Sequence, residues 1–469
     1  MKRRNFFKKA GLLGLGSTLL HPENLLAQPL NQSDFSNSKA KNIIFLVSDG
    51  MSNGTLNMAD IFLQRTTGKG SNWLNLYREN KVNRALMDMA SASSTVTDSA
   101  AASSSWGGGN RVKNGRVNIG DNGEKHKPIW QKFKEAGKMA GCVTTVPITH
   151  ATPAGFTANS ESRKDMEGIA ETQLQHKFDV LMGGGQDIFS PDKRKDGKDM
   201  YQAFEKAGYT VVKDKTAMQN ASTKKPLLGV FSEDGLPYSL DYLHDDTLKS
   251  KIPTLAEMTA KAIAVMKNSP NGFVLQVEGG KVDWAAHANC TGGLIYDQVA
   301  FDQALKVALD FANADKNTLV IITTDHGNSN PGLLYGKDAN NNFDRIQQFK
   351  HTNEWILNGI TPDQSINQII ERIEYANGFA ITRNQAFEIL GYYNGLEKQD
   401  DGLYNYKKLP YKLLANIQKD YTNVGWIGDN HSADYVELAM YGAGSMALPA
   451  FVKNTDLHWY MLTATGVKH

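Results

Sequence analysis

Short, continuous apolar runs recur along this chain, and the runs stop at polar, often acidic, residues. Asn42-Ile-Ile-Phe-Leu-Val47 ends in Ser48-Asp49-Gly50, and Gly141-Cys-Val-Thr-Thr-Val146 leads to His150-Ala151-Thr152. Phe273-Val-Leu-Gln-Val277 ends in Glu278-Gly279-Gly280, and Thr318-Leu-Val-Ile-Ile322 in Thr323-Thr324-Asp325-His326-Gly327. Runs this short, β-branched and without alternation predict strands buried on both faces, as in a parallel sheet covered by helices. Phe178 to Met182 predicts a further strand, and Tyr435 to Met440 a closing one. Helical spacing fills the gaps. Thr254 and Glu257 form a capping box ahead of Leu255, Met258, Ala262, Val265 and Met266, and Phe301, Leu305 and Leu309 mark another helix. Residues 191 to 246 read as polar and turn-rich, with short apolar runs such as Leu227 to Phe231. Residues 333 to 425 read as a helical insertion: Thr361-Pro362 with Gln364 caps a helix showing Ile366, Ile369, Ile370 and Ile373, and Thr382 with Gln385 caps one that stops at Gly391. The pattern points to the α/β class, with a parallel sheet buried on both faces.

Open sheets of this kind bind ligands at the carboxyl ends of their strands. Asp49, the His150/Thr152 pair, Glu278 and Asp325-His326 all fall at such ends. Asp283 and His287 follow Glu278 at i, i+4 spacing, which puts them on one helical face, and Asp429-Asn430-His431-Ser432 supplies a further histidine. Histidines and carboxylates without cysteine favour zinc or a similar borderline ion, with an oxygen-rich corner for magnesium. Separately, Ser93 to Ser104 places Ser99 directly after Asp98 and then runs into small residues suited to a closely packed helix, whose first amides can hold an anion. Taken singly, Asp98-Ser99 is an ordinary helix cap, His150 a loop histidine and Arg163 a solvated helix face. Their convergence with the strand-end ligands is what favours chemistry.

The N-terminus changes the picture of charge and location. Met1 to Lys9 carries Arg3-Arg4-Asn5-Phe6-Phe7-Lys8-Lys9, followed by the apolar run Ala10 to Leu20 and a Pro-containing segment ending near Ala27. That run is shorter than the ~20 residues of a membrane span. Residues 1–27 therefore read as a twin-arginine signal peptide, which implies the export machinery as a partner, a periplasmic or secreted location and no stable membrane anchor. The 469-residue chain holds 51 basic and 49 acidic side chains, of which five basic and one acidic lie in the first 27 residues; the remainder carries a net charge of −2 and no patch suited to nucleic acid. Of the two cysteines, Cys142 sits in an apolar run and is expected to be a buried free thiol.

The motifs V-S-D-G-M at 47 to 51, T-D-S-A-A at 97 to 101, H-A-T-P-A-G at 150 to 155, Q-V-E-G-G-K-V-D-W-A-A-H at 276 to 287, T-T-D-H-G at 323 to 327 and D-N-H-S at 429 to 432 resemble, in order and spacing, those of the alkaline phosphatases. The resemblance implies an α/β fold with a large, mostly parallel central sheet sandwiched by helices, in which residues 28–469 form a phosphomonoesterase domain with two zinc ions and one magnesium, active at alkaline pH on small phosphate monoesters. It implies Ser99 as the nucleophile that becomes phosphorylated and Arg163 as the clamp on two phosphate oxygens. One zinc would lie on Asp283, His287 and His431, the other on Asp49, Asp325 and His326, and magnesium on Asp49, Thr152 and Glu278. Asp98 would orient Arg163. His150 and Trp284 stand where the best-known bacterial form has an acidic residue and a lysine, which bears on the magnesium site and on phosphate contacts. A phosphodiesterase or sulfatase of the same superfamily, or a non-catalytic periplasmic phosphate-binding protein, are the rival readings. Arg163 speaks against the first pair, because a fork on two free oxygens suits a monoester, and the intact nucleophile speaks against the last. A homodimer is compatible with the sequence, which leaves the oligomeric state open.

Overall fold

The apolar runs become strands because every residue in them has an apolar layer to enter, whichever face of the sheet it points to. In the computed structural model, which describes residues 39–399 and 402–468, strand β1 (Asn42–Val47) is buried throughout. Ile44 and Leu46 point into one core, Ile43, Phe45 and Val47 into the other. The signal-peptide reading of residues 1–27 lies outside the described residues.

Among the described residues thirteen further strands follow: β2 (Asn83–Asp88), β3 (Met139–Pro147), β4 (Val180–Gly184), β5 (Thr210–Val212), β6 (Leu227–Val230), β7 (Phe273–Glu278), β8 (Thr318–Thr323), β9 (Gly327–Asn328), β10 (Gly332–Leu333), β11 (Val424–Gly425), β12 (His431–Ser432), β13 (Val436–Gly442) and β14 (Phe451–Lys453). Nine of these join β1 in one ten-stranded sheet, ordered β14-β2-β13-β8-β1-β7-β3-β4-β6-β5. All its pairings are parallel except the two that β13 makes, with β2 and with β8. The four runs that end in ligand-type residues, β8, β1, β7 and β3, are adjacent at the centre. Their carboxyl ends therefore open onto one place.

Helices cover both faces. On one side lie Asn53–Thr67, Leu255–Met266 and the 25-residue Thr291–Asp315, which contribute Leu56, Phe62, Met258, Leu305 and Leu309 to the core. The capping box of Thr254 and Glu257 forms as its spacing predicts. On the other side lie Ser99–Gly108, Ile129–Glu135, Ala151–Thr157 and Asp456–Thr465. Here Phe45 of β1 packs on Trp106 and Phe156 at ring-centroid distances of 5.0 and 5.1 Å. Ser99–Gly108 and Ala151–Thr157 approach so closely that a Cβ on Gly155 would lie 2.3 Å from Ser103 Oγ, and one on Gly107 1.7 Å from the Gly155 carbonyl oxygen. The alanines and serines after Ser99 are what make that approach sterically feasible.

Some sequence expectations need correction. Tyr435 to Met440 does not close the sheet: β13 lies inside it, and the short parallel strand β14 forms that edge next to β2. Neither β2 nor β14 shows a buried apolar run, because both lie near the edge and keep one side open to solvent. The segment 191 to 246 is less irregular than its polarity suggests: it holds short helices, and β5 and β6 extend the opposite edge. The helix Ile366–Asn377 is capped by Ser365 with Gln368, one turn later than Thr361 and Gln364 imply; Gln364 instead accepts from the Thr361 amide in the preceding turn. Thr382 and Gln385 cap Arg383–Gly391 as expected. The helices between 339 and 422 bury Ile356, Ile369, Ile373, Ile389 and Leu414 in the same core as Thr291–Asp315. Cys142 and Cys290 are both free, buried in opposite cores.

A Gly155→Val substitution tests the helix contact. Its methyl groups have no space beside Ser103, so urea unfolding should show a loss of about 1–3 kcal/mol, with a matching fall in whatever activity depends on the two helix starts.

Candidate active site

At the end of β1 the chain must turn sharply, and Gly50 does so at φ +66°, with its amide donating to Asp325 Oδ1 at 2.9 Å. A Cβ there would sit 2.4 Å from Asp283 Oδ1, so glycine is required by both backbone and space. The turn leaves the fully buried Asp49 facing Asp325 and His326 from the end of β8. His326 Nε2 lies 3.1 Å from Asp325 Oδ2, 3.6 Å from Asp49 Oδ1 and 3.2 Å from Ser99 Oγ.

Ser99 is the first residue of its helix, 1% exposed, with Asp98 as N-cap. Asp98 has two tasks. Its Oδ1 accepts from the Ala101 amide, the ordinary cap bond, while Oδ2 accepts from Arg163 Nη1 at 3.0 Å and from the Gly115 amide at 3.0 Å. Arg163 Nη2 donates to His150 Nε2 at 3.2 Å. A guanidinium can only donate, so in this arrangement His150 Nε2 carries the lone pair and Nδ1 the ring proton. Burial and the neighbouring Arg163 charge hold His150 down to about 3, which keeps the ring neutral. Trp284 meets the same imidazole edge to face, with ring centroids 6.2 Å apart.

A second group forms where the helix Lys281–His287 follows β7. Asp283 and His287 share one face of it, and the two-residue ladder of β9 with β12, in which His431 pairs with Asn328, carries His431 across to them. Asp283 lies 3.4 Å from His287 Nε2 and 3.7 Å from His431 Nε2. The tautomers follow from the partners: His287 Nδ1 donates to the Asp429 carbonyl at 2.8 Å and His431 Nδ1 to the Thr97 carbonyl at 2.9 Å. Both Nε2 atoms then present lone pairs to one another at 3.2 Å. Two lone pairs that close call for a cation between them.

A third group brings Asp49 and Glu278 together with a ring nitrogen of His150. Thr152 Oγ1 lies 3.4 Å from Asp49 Oδ2, and Thr144 Oγ1 donates to Glu278 Oε2 at 2.6 Å. Burial and the neighbouring carboxylates raise Asp49 well above the usual carboxylate range, and burial pushes Glu278 up to about 7. Burial also opposes ionisation of Asp283, but His287, His326 and His431 outweigh it and pull the carboxyl down. His431 is lowered to about 4 by burial and by His326. Asp49 Oδ1, Glu278 Oε1, Asp325 Oδ2 and His326 Nδ1 are buried without a hydrogen-bond partner. Orphaned acceptors of this kind are costly, and three of the four are carboxylate oxygens gathered on one spot, the donor set that divalent cations satisfy.

The structure thus brings Ser99, Arg163, Asp49, Thr152, Glu278, Asp283, His287, Asp325, His326 and His431 to one end of the sheet, with Asp98, His150 and Trp284 around them. Sequence reasoning passed over Thr144 and Asn328. Thr144 is detectable only from register, since it stands opposite Glu278 in the β3/β7 pairing. Asn328, whose Nδ2 donates to Asp283 Oδ1 at 2.7 Å, lies three residues past Asp325 in a stretch that reads as a turn. The carbonyls of Thr97 and Asp429 that orient the histidines leave no mark in a sequence. His351, by contrast, stays away from the centre: it contacts Asp241 and stacks on Trp355.

The alkaline phosphatase family model matches residues 40–467. Alkaline phosphatase 4 of Bacillus subtilis (strain 168) is 30% identical over 475 residues, with 97% of each chain covered. Streptomycin-6-phosphate phosphatase of Streptomyces griseus is 30% identical over 358 residues, covering 67% of this chain and 80% of its own. Among solved structures, Thermus thermophilus alkaline phosphatase superposes with a TM-score of 0.84 at 29% identity, covering 95% of this chain and 96% of the other. The large, mostly parallel sheet between helices, the convergence of carboxylates and imidazoles at its centre and these similarities agree, and the chain belongs to the alkaline phosphatase family of phosphomonoesterases.

Proposed function

We propose that this phosphomonoesterase works by two successive displacements through a phosphoserine at Ser99. The carrying observation is the position of Ser99 Oγ, at a helix start 3.2 Å from His326 Nε2, with the N-cap Asp98 beside it holding Arg163. In the first displacement the Ser99 oxygen forms a bond to phosphorus, the ester P–O bond breaks and the alcohol departs with a proton. In the second, water attacks the same phosphorus, the Ser99 ester bond breaks and inorganic phosphate leaves. Arg163 binds two of the equatorial oxygens through its planar fork, and Asp98 keeps that fork aimed by accepting from its other side. The closely packed helices behind Ser99 stop the nucleophile from retreating.

Divalent ions, held by Asp283, His287 and His431, by Asp49, Asp325 and His326, and by Asp49, Thr152 and Glu278, would supply the charge that ionises a serine hydroxyl and a water near neutral pH. The first two sets contain imidazole nitrogen and favour zinc; in the third, His150 has Nε2 engaged by Arg163 and its ring proton on Nδ1, which leaves oxygen donors and favours magnesium. The spread of relatives, which includes a phosphatase named for streptomycin 6-phosphate, leaves the physiological ester open. We also propose export by the twin-arginine route, on the strength of Arg3-Arg4 and the short apolar run behind them.

Three outcomes test this reading. Ser99→Ala should lower turnover of an aryl phosphate by at least about a thousandfold and abolish acid-trapped phosphoenzyme, while the wild type should prefer the monoester over a diester and a sulfate ester; retention of both signals would contradict the mechanism. Metal analysis should find two zinc ions and one magnesium per chain, and chelation should lower the melting temperature together with activity, because it leaves the buried carboxylates facing one another. Replacing Arg3 and Arg4 with lysine should trap the full-length protein in the cytoplasm, as read by fractionation and immunoblot.

A further inference from the structure

Lys281 is 5% exposed and is the first residue of the helix Lys281–His287, a position where the helix dipole disfavours a cation. Its ammonium lies between two aromatic faces, 3.6 Å from the Tyr238 ring centroid and 4.5 Å from that of Trp284. The charges that face it, Asp234 before the Tyr238 loop and Asp297 on the helix Thr291–Asp315, act on it through space. Its backbone amide donates to Thr145 Oγ1 on β3 at 3.0 Å, which fixes where the side chain starts. Trp284 is half-buried. Gly235 lies so close to the indole that a Cβ would stand 2.8 Å from Cζ3, and His150 meets the ring edge to face. His150 in turn accepts from Arg163. A run of contacts thus leads from a buried ammonium to the guanidinium that faces the substrate.

We infer that Lys281 is a positioning residue for phosphate binding, acting through Trp284 and His150 on Arg163. The inference rests on the proposed role of Arg163. A cation on the face of an indole is attracted to the ring and opposes its rotation, so the sandwich fixes the Trp284 plane. That plane limits the tilt of His150, and the tilt decides whether Nε2 meets Arg163 Nη2 or releases it. Asp98 secures one guanidinium nitrogen and His150 the other, so loss of one tether lets the fork swing about the remaining one. Arginine binds phosphate oxygens both before and during reaction, so a looser fork raises KM and the inhibition constant for phosphate more than it lowers kcat.

The experiment uses the metal-loaded enzyme, inorganic phosphate as the probe, and calorimetric titration alongside steady-state kinetics on an aryl phosphate. Lys281→Met should weaken phosphate binding and raise KM about three- to tenfold, with kcat within about twofold; Lys281→Arg, which keeps a cation able to stack, should restore wild-type binding. In a Trp284→Leu background the Lys281→Met change should add less than about twofold, because its route to Arg163 is gone. Unchanged phosphate binding in Lys281→Met would overturn the inference, as would a full-sized effect persisting without Trp284 or a failure of arginine to rescue. If Lys281→Met does not fold, Lys281→Gln and Lys281→Arg are compared in its place, and equal phosphate affinity in the two would count against the inference. A wild type that binds no phosphate would overturn the reading of Arg163 itself, and this inference with it, an outcome distinct from a normal wild type beside an unaffected variant.

Discussion

Four carboxylates, Asp49, Glu278, Asp283 and Asp325, are buried and meet imidazoles within 4.8 Å beyond the carboxyl ends of adjacent strands, and the rest of the molecule is arranged around that concentration of charge. Desolvation alone disfavours each ionised carboxyl, and like charges a few ångströms apart disfavour it further. The protein answers only in part, with hydroxyls, amides and the imidazoles themselves. The upward displacement of Asp49 and Glu278 and the orphaned oxygens show how far the polypeptide falls short of balancing the site on its own. The family's divalent ions complete what the side chains begin. Apolar layers on both faces of the sheet provide the stability that such a centre consumes.

Rigidity is distributed to match. Residues that would hold cations come from strand ends, from the helices that follow them and from the short strand β12, and the tight contact between the Ser99 and Thr152 helices ties Ser99 to the strand-end carboxylates in one block. His431 arrives late in the sequence on a two-residue ladder, and its neighbour strand carries Asn328, which also holds Asp283. The Arg163 side is built differently. Arg163 comes from an irregular loop, and its guanidinium is held at both Nη atoms, by Asp98 and by His150.

The central strands and the ligand-type residues were legible because burial on both faces leaves an uninterrupted apolar run, and because β8, β1, β7 and β3 each end in chemistry. Edge strands were not, since β2, β5 and β14 are short or half-exposed and their pattern is no different from a loop's. The direction of β13 could not be read at all: an apolar segment looks the same whether its neighbours run with it or against it. Capping boxes at Thr254 and Thr382 were readable from spacing, while Thr361 misled because Ser365 offers the same chemistry four residues on. Of the site, side chains could be named but their carbonyl partners could not. The tautomers of His287 and His431 depend on Asp429 and Thr97 oxygens that any residue would supply.

The place of β13 also governs how the chain can fold. Residues 436–442 must insert between β2, which lies some 350 positions earlier, and β8, so two halves of the sheet remain separate until almost the whole chain is available. Until then β8 and β2 both present unsatisfied edges, the kind of surface that recruits other chains. Closing a loop of that span costs entropy before any contact rewards it, which makes this a late and slow event. A nascent chain is therefore most prone to aggregate just before β13 is released, and its antiparallel insertion covers the exposed edge of β8 and one side of β2 at a single stroke.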